Sequence, residues 1–338
     1  MPKRRNYLPP GLIGLLLLAV VPCVRAALST EVAVALDAQV AQFESDAVVV
    51  YCGEERAYAS GALAEKYNVA SVRKSLVSAL YGIAAERGLV DLDASLGQLG
   101  FDDALHPLST SERKATLRQL LEARSGIYLP AHGESPSMRR RKPERGSYPP
   151  GAHFYYNNWD FNALGLVFEQ VAGMALGEAF QAWIAQATGM EDFEPGDVVW
   201  QPADERAGLA MYRFFMSARD LARFGTLYAN GGRWRQQQVI PAGWVGETLS
   251  VYSTVPYGIW DGYGLLWWYK ANSDSWWALG SGGQRIVVDR GRRTAIVTLN
   301  NTGQGPASRW WYRHFGRAAP EWEAFSVLEL ATAPGGCS

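Results

Sequence analysis

The 338-residue sequence has few of the side chains that bind transition metals, with three cysteines and four histidines. The cysteines form no Cys-x-x-Cys pair, and the histidines lack the spacing of a metal-ligand set. We therefore expect neither a metal site nor a cofactor. The chain also lacks a basic excess, since its formal charge is −1, which argues against nucleic acid as a partner.

Long apolar runs are scarce as well, and the notable one lies at the start of the chain. Residues 11–22 are apolar, with three basic residues at 3–5 before them and the small-residue site Val24-Arg25-Ala26 after them. The run is short of the about 20 residues that span a bilayer. This pattern is typical of a cleaved secretory signal. We expect residues 1–26 to be removed and the protein to be periplasmic or secreted, with no stable membrane insertion after cleavage.

Removal of the leader would leave two cysteines, Cys52 and Cys337, near opposite ends of the mature chain. It would also change the formal charge from −1 to about −5, because the leader carries four basic residues and no acidic one. An oxidising compartment would allow the two cysteines to pair if the ends of the chain meet. The sequence leaves this pairing open.

The most informative stretch is a Ser-x-x-Lys motif that opens an apolar helical pattern. Ser71 stands where an N-cap belongs, and Gly88 where the helix should end. Between them, apolar residues recur at the spacing of a core-facing helix: Val72, Leu76, Ala79, Leu80 and Ile83. Lys74 lies one turn from Ser71, so its amine can return to the serine hydroxyl as a base for a nucleophile. An ordinary N-cap beside a surface lysine fits the motif equally well.

The same motif occurs a second time, at Ser111 and Lys114. Here the serine lies in a polar run before a short helix predicted over Thr116–Leu121. It is typical of a solvated cap, so we assign it no catalytic role. The apolar helix is what distinguishes Ser71, because it would hold the serine on a buried support.

The order of elements predicts an α/β (α+β) fold. A helix over residues 28–43 and a strand over 46–52 precede the Ser71 helix, and several strands return near the end. We expect one antiparallel sheet built from the N- and C-terminal segments, flanked by helices, with an inserted all-helical region. The expected domain is a single catalytic unit over residues 27–338, with 27–88 and 250–338 as its α/β part and 89–249 as its mainly helical part. The later elements are predicted as helices over 161–171, 176–187, 217–229, 241–249, 309–315 and 321–330, and strands over 263–269, 276–279, 284–289 and 294–300.

Two further segments carry residues suited to catalysis or binding. Tyr156 and Asn158 lie on a loop before a helix, where a phenol can move protons and an amide can hold a carbonyl. The residues from Gly280 to Gln284 form a glycine-rich junction at a strand end, where the backbone can approach a ligand and leave N–H groups free. The alternatives are an aromatic loop packed under helices and a plain β-turn.

Residues 130–151 are the least regular part of the mature chain. Proline, glycine and serine surround four basic residues at 139–142 and a fifth at Arg145. A solvated loop is the simpler interpretation. The alternative is a flap whose positive charge attracts a substrate that bears a carboxylate.

Together, these segments resemble the serine β-lactamase and penicillin-binding-protein superfamily, in particular its class C-like serine hydrolases. The resemblance covers essentially the whole mature chain. Its segments are Ala70–Ser75, Leu120–Gly126, Tyr156–Asn158, Leu164-Gly165, Met216–Phe224, Tyr263–Trp268 and Gly280–Gln284. The third motif of the family usually opens with Lys or His, then Thr or Ser, whereas Ala278-Leu279 supplies neither. The resemblance therefore implies the branch that contains esterases and 6-aminohexanoate-dimer hydrolases.

The resemblance implies a role for each candidate residue. Ser71 would be the nucleophile, with Lys74 and Tyr156 sharing its proton. The backbone N–H groups of Ser71 and Ser281 would form an oxyanion hole, and Asn158 would orient the substrate, which passes close to Gly280 and Gly282. The expected function is hydrolysis of a small amide or ester. The alternatives are a β-lactamase or peptidoglycan DD-peptidase, and a non-hydrolytic penicillin-binding or sensor protein on the same fold.

Overall fold

The computed structural model describes residues 28–43, 45–301 and 319–337, together with Met1. In chain order, the strands are β1 Ala47–Cys52, β2 Glu55–Gly61, β3 Lys66–Asn68, β4 Val198–Gln201, β5 Met211–Ser217, β6 Arg233–Trp234, β7 Gln237–Gln238, β8 Ser253–Thr254, β9 Gly262–Tyr263, β10 Trp268–Lys270, β11 Ser275–Gly280, β12 Gln284–Asp289 and β13 Thr294–Leu299. The helices are α1 Thr30–Phe43, α2 Arg73–Glu86, α3 Leu117–Leu121, α4 Pro136–Arg141, α5 Asn158–Ala172, α6 Leu176–Phe180, α7 Gln186–Thr188, α8 Ala218–Ala229, α9 Ala242–Thr248 and α10 Ala319–Thr332.

Eight strands form one antiparallel sheet in the order β2-β1-β13-β12-β11-β10-β9-β8. β1 pairs with β13 along its whole length, from Ala47 opposite Leu299 to Cys52 opposite Thr294. Every residue of β1, β12 and β13 is buried, as expected for β-branched runs covered on both faces. α8 packs against these three strands, and α10 packs against β12 and β13 as well as against α1. The predicted α/β (α+β) fold, with one sheet made from both ends of the chain, is confirmed.

A disulfide joins the two ends of the described chain. Cys52, at the end of β1, is bonded to Cys337, and their Cα atoms are 5.2 Å apart. The segment after α10 folds back on the end of this helix, where the Cys337 N–H donates to the Ala331 carbonyl at 2.6 Å. The pairing that the sequence left open is therefore made.

The inserted region is not all-helical, which corrects the sequence prediction. β4 and β5 lie within it and form a second sheet with β3, in the order β3-β5-β4. The predicted helices are present, but Met211–Ser217 is a strand with alternating burial on part of its length. This strand depends on partners that are distant in sequence, since Asn68 faces Phe215 and Val198 faces Phe214. The sequence analysis did not predict this strand, because the segments around it have helical periodicity.

The predicted strand over 263–269 is also wrong in part, because two short strands replace it. β9 and β10 pair with each other, with Tyr263 opposite Trp268. Between them the chain reverses, Leu266 adopts a φ of +67°, and the Gly264 N–H donates to the Trp267 carbonyl at 2.8 Å. The remaining predicted strands of the C-terminal part match β11, β12 and β13.

The segment over residues 130–151 contains a short helix that the sequence did not predict. The Ser135 side chain caps α4 by accepting a hydrogen bond from the Met138 N–H at 3.2 Å. The predicted leader and the predicted helix over 309–315 lie outside the described residues. Within the part that is described, no single helix is long and apolar enough to cross a membrane. The pair Asn158–Ala172 and Leu176–Thr188 passes that test only together, with a bend of 76°.

Candidate active site

A strained loop carries Ser71 from β3 into the start of α2. Asn68 Oδ1 accepts a hydrogen bond from the Ala70 N–H at 2.9 Å, and Ala70 adopts a left-handed φ of +49°. This conformation costs a residue with a Cβ roughly 1–2 kcal/mol, and such strain is concentrated at functional sites. The chain then makes a 3₁₀ turn over Ala70–Val72, and α2 begins at Arg73.

Ser71 is therefore not the N-cap that its place in the sequence suggested. The residue before α2 is Val72, which makes no side-chain cap. The 3₁₀ turn moves the start of the helix beyond Ser71, so the serine hydroxyl is not used for capping. α2 itself is buried from Arg73 to Ala84, as the apolar stripe predicted.

Two serines on α2 fix this helix to the main sheet. Ser75 Oγ donates to the Leu266 carbonyl at 2.8 Å, and Ser78 Oγ donates to the Leu265 carbonyl at 2.9 Å. Both carbonyls lie in the reversal between β9 and β10. The position of the Ser71 loop is consequently set by the C-terminal strands as well as by its own helix.

Lys74 is held against the Ser71 hydroxyl in an apolar environment. Its Nζ is 2.6 Å from Ser71 Oγ, and its side chain is 1% exposed. The rings of Tyr156 and Phe161 each lie 4.9 Å from Nζ. No carboxylate in the described part of the chain pairs with it. Burial, followed by the charge of Arg73, lowers the pKa of Lys74 well below its ordinary value, which favours the neutral amine.

Tyr156 completes a three-residue cluster with Ser71 and Lys74. Its ring packs against Phe161 and Trp268, with centroids 4.8 and 4.9 Å away. Burial raises the pKa of Tyr156 above its usual value, while its hydrogen bond with Ser71 and the charge of Arg73 oppose this shift. Because burial outweighs both, the phenol stays protonated and can donate a proton.

The neighbouring Tyr155 has a different environment. Its hydroxyl donates to the Met138 carbonyl at 3.0 Å, and its ring packs edge-on against Tyr128. The contacts to Ser71 and Lys74 are therefore made by Tyr156 and not by Tyr155. This agrees with the sequence prediction, which chose Tyr156 together with Asn158.

Asn158 is buried at the first turn of α5. Its Nδ2 donates to the His132 carbonyl at 3.2 Å, and its Oδ1 has no hydrogen-bond partner among the described residues. A buried amide oxygen without a partner is costly. Helix capping falls instead to Asn157, whose Oδ1 accepts from the Trp159 N–H at 3.2 Å. The Oδ1 of Asn158 is thus an acceptor that neither caps the helix nor holds another described residue.

The glycine-rich turn between β11 and β12 lies beside the Ser71 loop. A Cβ on Gly280 would be 2.5 Å from the Val69 carbonyl oxygen and 3.3 Å from the Ala70 Cβ, so only glycine fits there. Gly282 has a φ of +89°, and Ser281 at the turn is exposed. Within the described chain, neither the Ser71 nor the Ser281 backbone N–H donates to an acceptor. Two free donors therefore flank the same loop.

The second Ser-x-x-Lys motif has none of these features. Ser111 and Lys114 are both exposed, and the Ser111 side chain makes no capping hydrogen bond to the short 3₁₀ helix Glu112–Lys114 that follows. Its interpretation as a solvated surface segment is confirmed, although the expected capping bond is not formed.

Sequence reasoning missed a buried charge inside the first motif. Arg73 is 4% exposed, its guanidinium donates to Asn162 Oδ1 at 3.0 Å, and it stacks 4.1 Å from the ring centroid of Tyr212. It acts on the pKa of both Lys74 and Tyr156. The only signal in the sequence was its position between Val72 and Lys74, on a helix too apolar to leave it in solvent.

The described residues contain no group of three His, Cys, Asp or Glu side chains that could hold a metal ion.

A search of curated proteins found no match. Among solved structures, the chain is similar to a protein from Bacillus anthracis that is described as a 6-aminohexanoate-dimer hydrolase. The identity is 21% and the TM-score 0.64, over 87% of this chain and 81% of the other.

Two further solved structures share the fold. A protein from Bacteroides dorei that is described as a beta-lactamase has 17% identity and a TM-score of 0.62, over 89% of this chain and 98% of the other. A D-stereospecific amidohydrolase from Streptomyces has 19% identity and a TM-score of 0.56, over 85% of this chain and 98% of the other. The sequence model of the Beta-lactamase family matches residues 34–318. The chain therefore belongs to the beta-lactamase family.

Proposed function

We propose that this protein is a serine hydrolase that cleaves a small amide or ester through an acyl-enzyme at Ser71. Its fold is that of a hydrolase family, and the reaction and residue roles are the proposal. The observation that carries it is the 2.6 Å contact between Lys74 Nζ and Ser71 Oγ at a buried site. A serine hydroxyl is a weak nucleophile and needs an adjacent base, and a buried, neutral amine at hydrogen-bond distance provides one.

In the acylation step, Ser71 Oγ attacks the substrate carbonyl carbon while its proton passes to the neutral Lys74 amine. The negative charge on the carbonyl oxygen is stabilised by the backbone N–H groups of Ser71 and Ser281. The phenol of Tyr156 donates its proton to the leaving nitrogen or oxygen as the carbon–heteroatom bond breaks. Lys74 then returns the serine proton to Tyr156, which restores both groups.

Deacylation repeats these transfers with water as the nucleophile. Water gives a proton to the Lys74–Tyr156 pair and its oxygen to the acyl carbon, and Ser71 leaves with a proton returned from that pair. Asn158 Oδ1, which has no partner among the described residues, is the acceptor for the N–H of an amide substrate.

Active-site labelling tests the nucleophile. After reaction with a fluorophosphonate, peptide mapping should place the adduct on Ser71, and Ser71→Ala should abolish labelling. The matched control is Ser111→Ala, which removes the serine of the exposed motif and should label normally. An adduct on Ser111 would refute the assignment.

Substrate screening tests the reaction. Short p-nitrophenyl esters and linear amides are compared with nitrocefin and a peptidoglycan stem peptide, with Ser71→Ala as the background. Turnover of esters or amides supports the proposal. Preferential turnover of nitrocefin or the stem peptide would favour a β-lactamase or DD-peptidase, and stoichiometric labelling without turnover would favour a binding or sensor protein.

We also propose that the protein is exported after cleavage near Ala27. The support is the charged start and short apolar run of the leader, and the Cys52–Cys337 bond accords with an oxidising compartment. N-terminal sequencing of protein from the native host should begin close to Ala27. An intact Met1 on cytoplasmic protein would contradict export.

A further inference from the structure

A pocket of about 210 Å³ opens beside Tyr156. Half of its lining residues are aromatic, namely Tyr155, Tyr156, Tyr257 and Trp268. Tyr257 lies beside the segment that carries Tyr156, because its ring stacks on the ring of Phe154 with centroids 6.2 Å apart. The pocket therefore shares one residue, Tyr156, with the proposed proton-transfer pair.

The lining of the pocket includes one cation. Arg141, the last residue of α4, lines the pocket together with Ser137. Its guanidinium carbon lies 4.3 Å from the ring centroid of Tyr257, and NH2 approaches Ser137 Oγ at 3.4 Å. The guanidinium is thus placed by a cation–π contact and a weak hydrogen bond, both of which leave its other N–H groups available.

Arg141 has no carboxylate partner within the described chain, and it is the basic residue of this segment that lines the pocket. Lys142 pairs with Glu134 at 2.5 Å, and Arg145 pairs with Glu112 at 2.7 Å. Arg139 donates to the Glu134 carbonyl at 2.7 Å. The charge of Arg141 is the one that faces the pocket, and an arginine fork matches the two oxygens of a carboxylate.

The pocket therefore combines aromatic walls with one cation. We propose that the pocket binds an apolar arm of the substrate and that Arg141 binds a carboxylate at the end of this arm. The preferred substrates are consequently linear amides or esters with a terminal carboxylate. This inference rests on the proposed hydrolysis at Ser71 and adds a specificity-determining residue to it.

The test uses matched substrates that differ only at the end of the arm. Each ester or amide is made with a terminal carboxylate, carboxamide or ammonium group, once with the arm on the acyl side and once on the leaving-group side. In at least one series, kcat/KM should be about two- to fivefold higher for the carboxylate than for the carboxamide, as an ion pair with an exposed arginine gives. The ammonium substrate should be the poorest.

Variants then assign the preference to one side chain. Arg141→Gln should bring the carboxylate-to-carboxamide ratio close to one, mainly through KM, and Arg141→Lys should restore part of it. Arg140→Gln removes an equal charge from an exposed residue that does not line the pocket, and it should keep the ratio of the native protein.

The outcomes separate this inference from the proposed function. Turnover without a carboxylate preference in either series, a preference for the ammonium substrate, or an equal loss in the Arg140 and Arg141 variants would overturn the inference and leave hydrolysis standing. Failure of every substrate and of Ser71 labelling would overturn the proposed function itself, and the inference with it.

Discussion

Replacement of Lys74 by methionine should inactivate the protein and stabilise it. Methionine keeps the length of the apolar stem and removes the amine from a site that is 1% exposed. Burial, then the charge of Arg73, lowers the pKa of Lys74 in the fold, whereas an unfolded lysine titrates at about 10.4. The unfolded state therefore binds the extra proton at pH values where the folded state does not. This difference destabilises the native protein, and the destabilisation is largest at low pH.

The sign and size of the effect follow from proton linkage. At pH values between the folded and unfolded pKa of Lys74, the stability of the native protein rises with pH by about 1.4 kcal/mol per unit from this group alone. The variant lacks this dependence. Its advantage in free energy of unfolding should thus be constant below the folded pKa, shrink by about 1.4 kcal/mol per pH unit above it, and level off near pH 10.4.

Urea unfolding of both proteins at several pH values from 6 to 10 measures this difference directly. Lys114→Met is the matched control, because it removes the lysine of the second motif from an exposed position and should leave the pH profile of stability unchanged. The Lys74 variant should also lose about 10²–10⁴-fold in kcat, the usual contribution of a general base. A Lys74 variant whose stability relative to the native protein does not change with pH, or falls at low pH, would refute a neutral Lys74.

Three other predictions concern the groups around Lys74 and the ends of the chain. Tyr156→Phe should lower kcat by about 10²–10⁴-fold, and combining it with Lys74→Ala should cost little more than the worse single change, as steady-state kinetics on all three variants would show. Arg73→Gln should move the rising limb of the kcat/KM pH profile to higher pH, because loss of the neighbouring positive charge raises the pKa of Lys74. An unchanged or acid-shifted limb would contradict that electrostatic role. Replacing Cys52 and Cys337 together by alanine should lower the free energy of unfolding by about 2–4 kcal/mol, measured by urea unfolding, with native-like stability as the opposing result.

The sequence predicted those parts of the fold in which burial produces a continuous apolar pattern. We could predict β1 from its β-branched run and α2 from its apolar stripe without knowing which elements they pack against. Burial selects such residues whatever the partner is. β5 was missed for the opposite reason. Its strand geometry depends on pairing with Asn68 on one side and Val198 on the other, and local pattern does not report contacts so far apart in the chain.

The candidate site shows the same division. Ser71, Lys74 and Tyr156 were identified from spacing and resemblance, and the structure brings these three side chains together. Their environment could not be read in the same way. The 3₁₀ turn that separates Ser71 from α2 goes with a positive φ at Ala70, and the neighbouring glycine turn fits only because Gly280 has no Cβ. Both features arise where distant segments meet.

The difference between the two Ser-x-x-Lys motifs follows from this environment. Both motifs place a lysine one turn after a serine, yet only Lys74 is buried and enclosed by aromatic rings, whereas Lys114 is exposed. A surface lysine at the same spacing stays solvated and charged, so it cannot accept a serine proton. The spacing of the motif therefore supplies only proximity. The unprotonated amine that hydrolysis would need is favoured by a buried helix and a sheet, which place Lys74 where its charged form would be unstable.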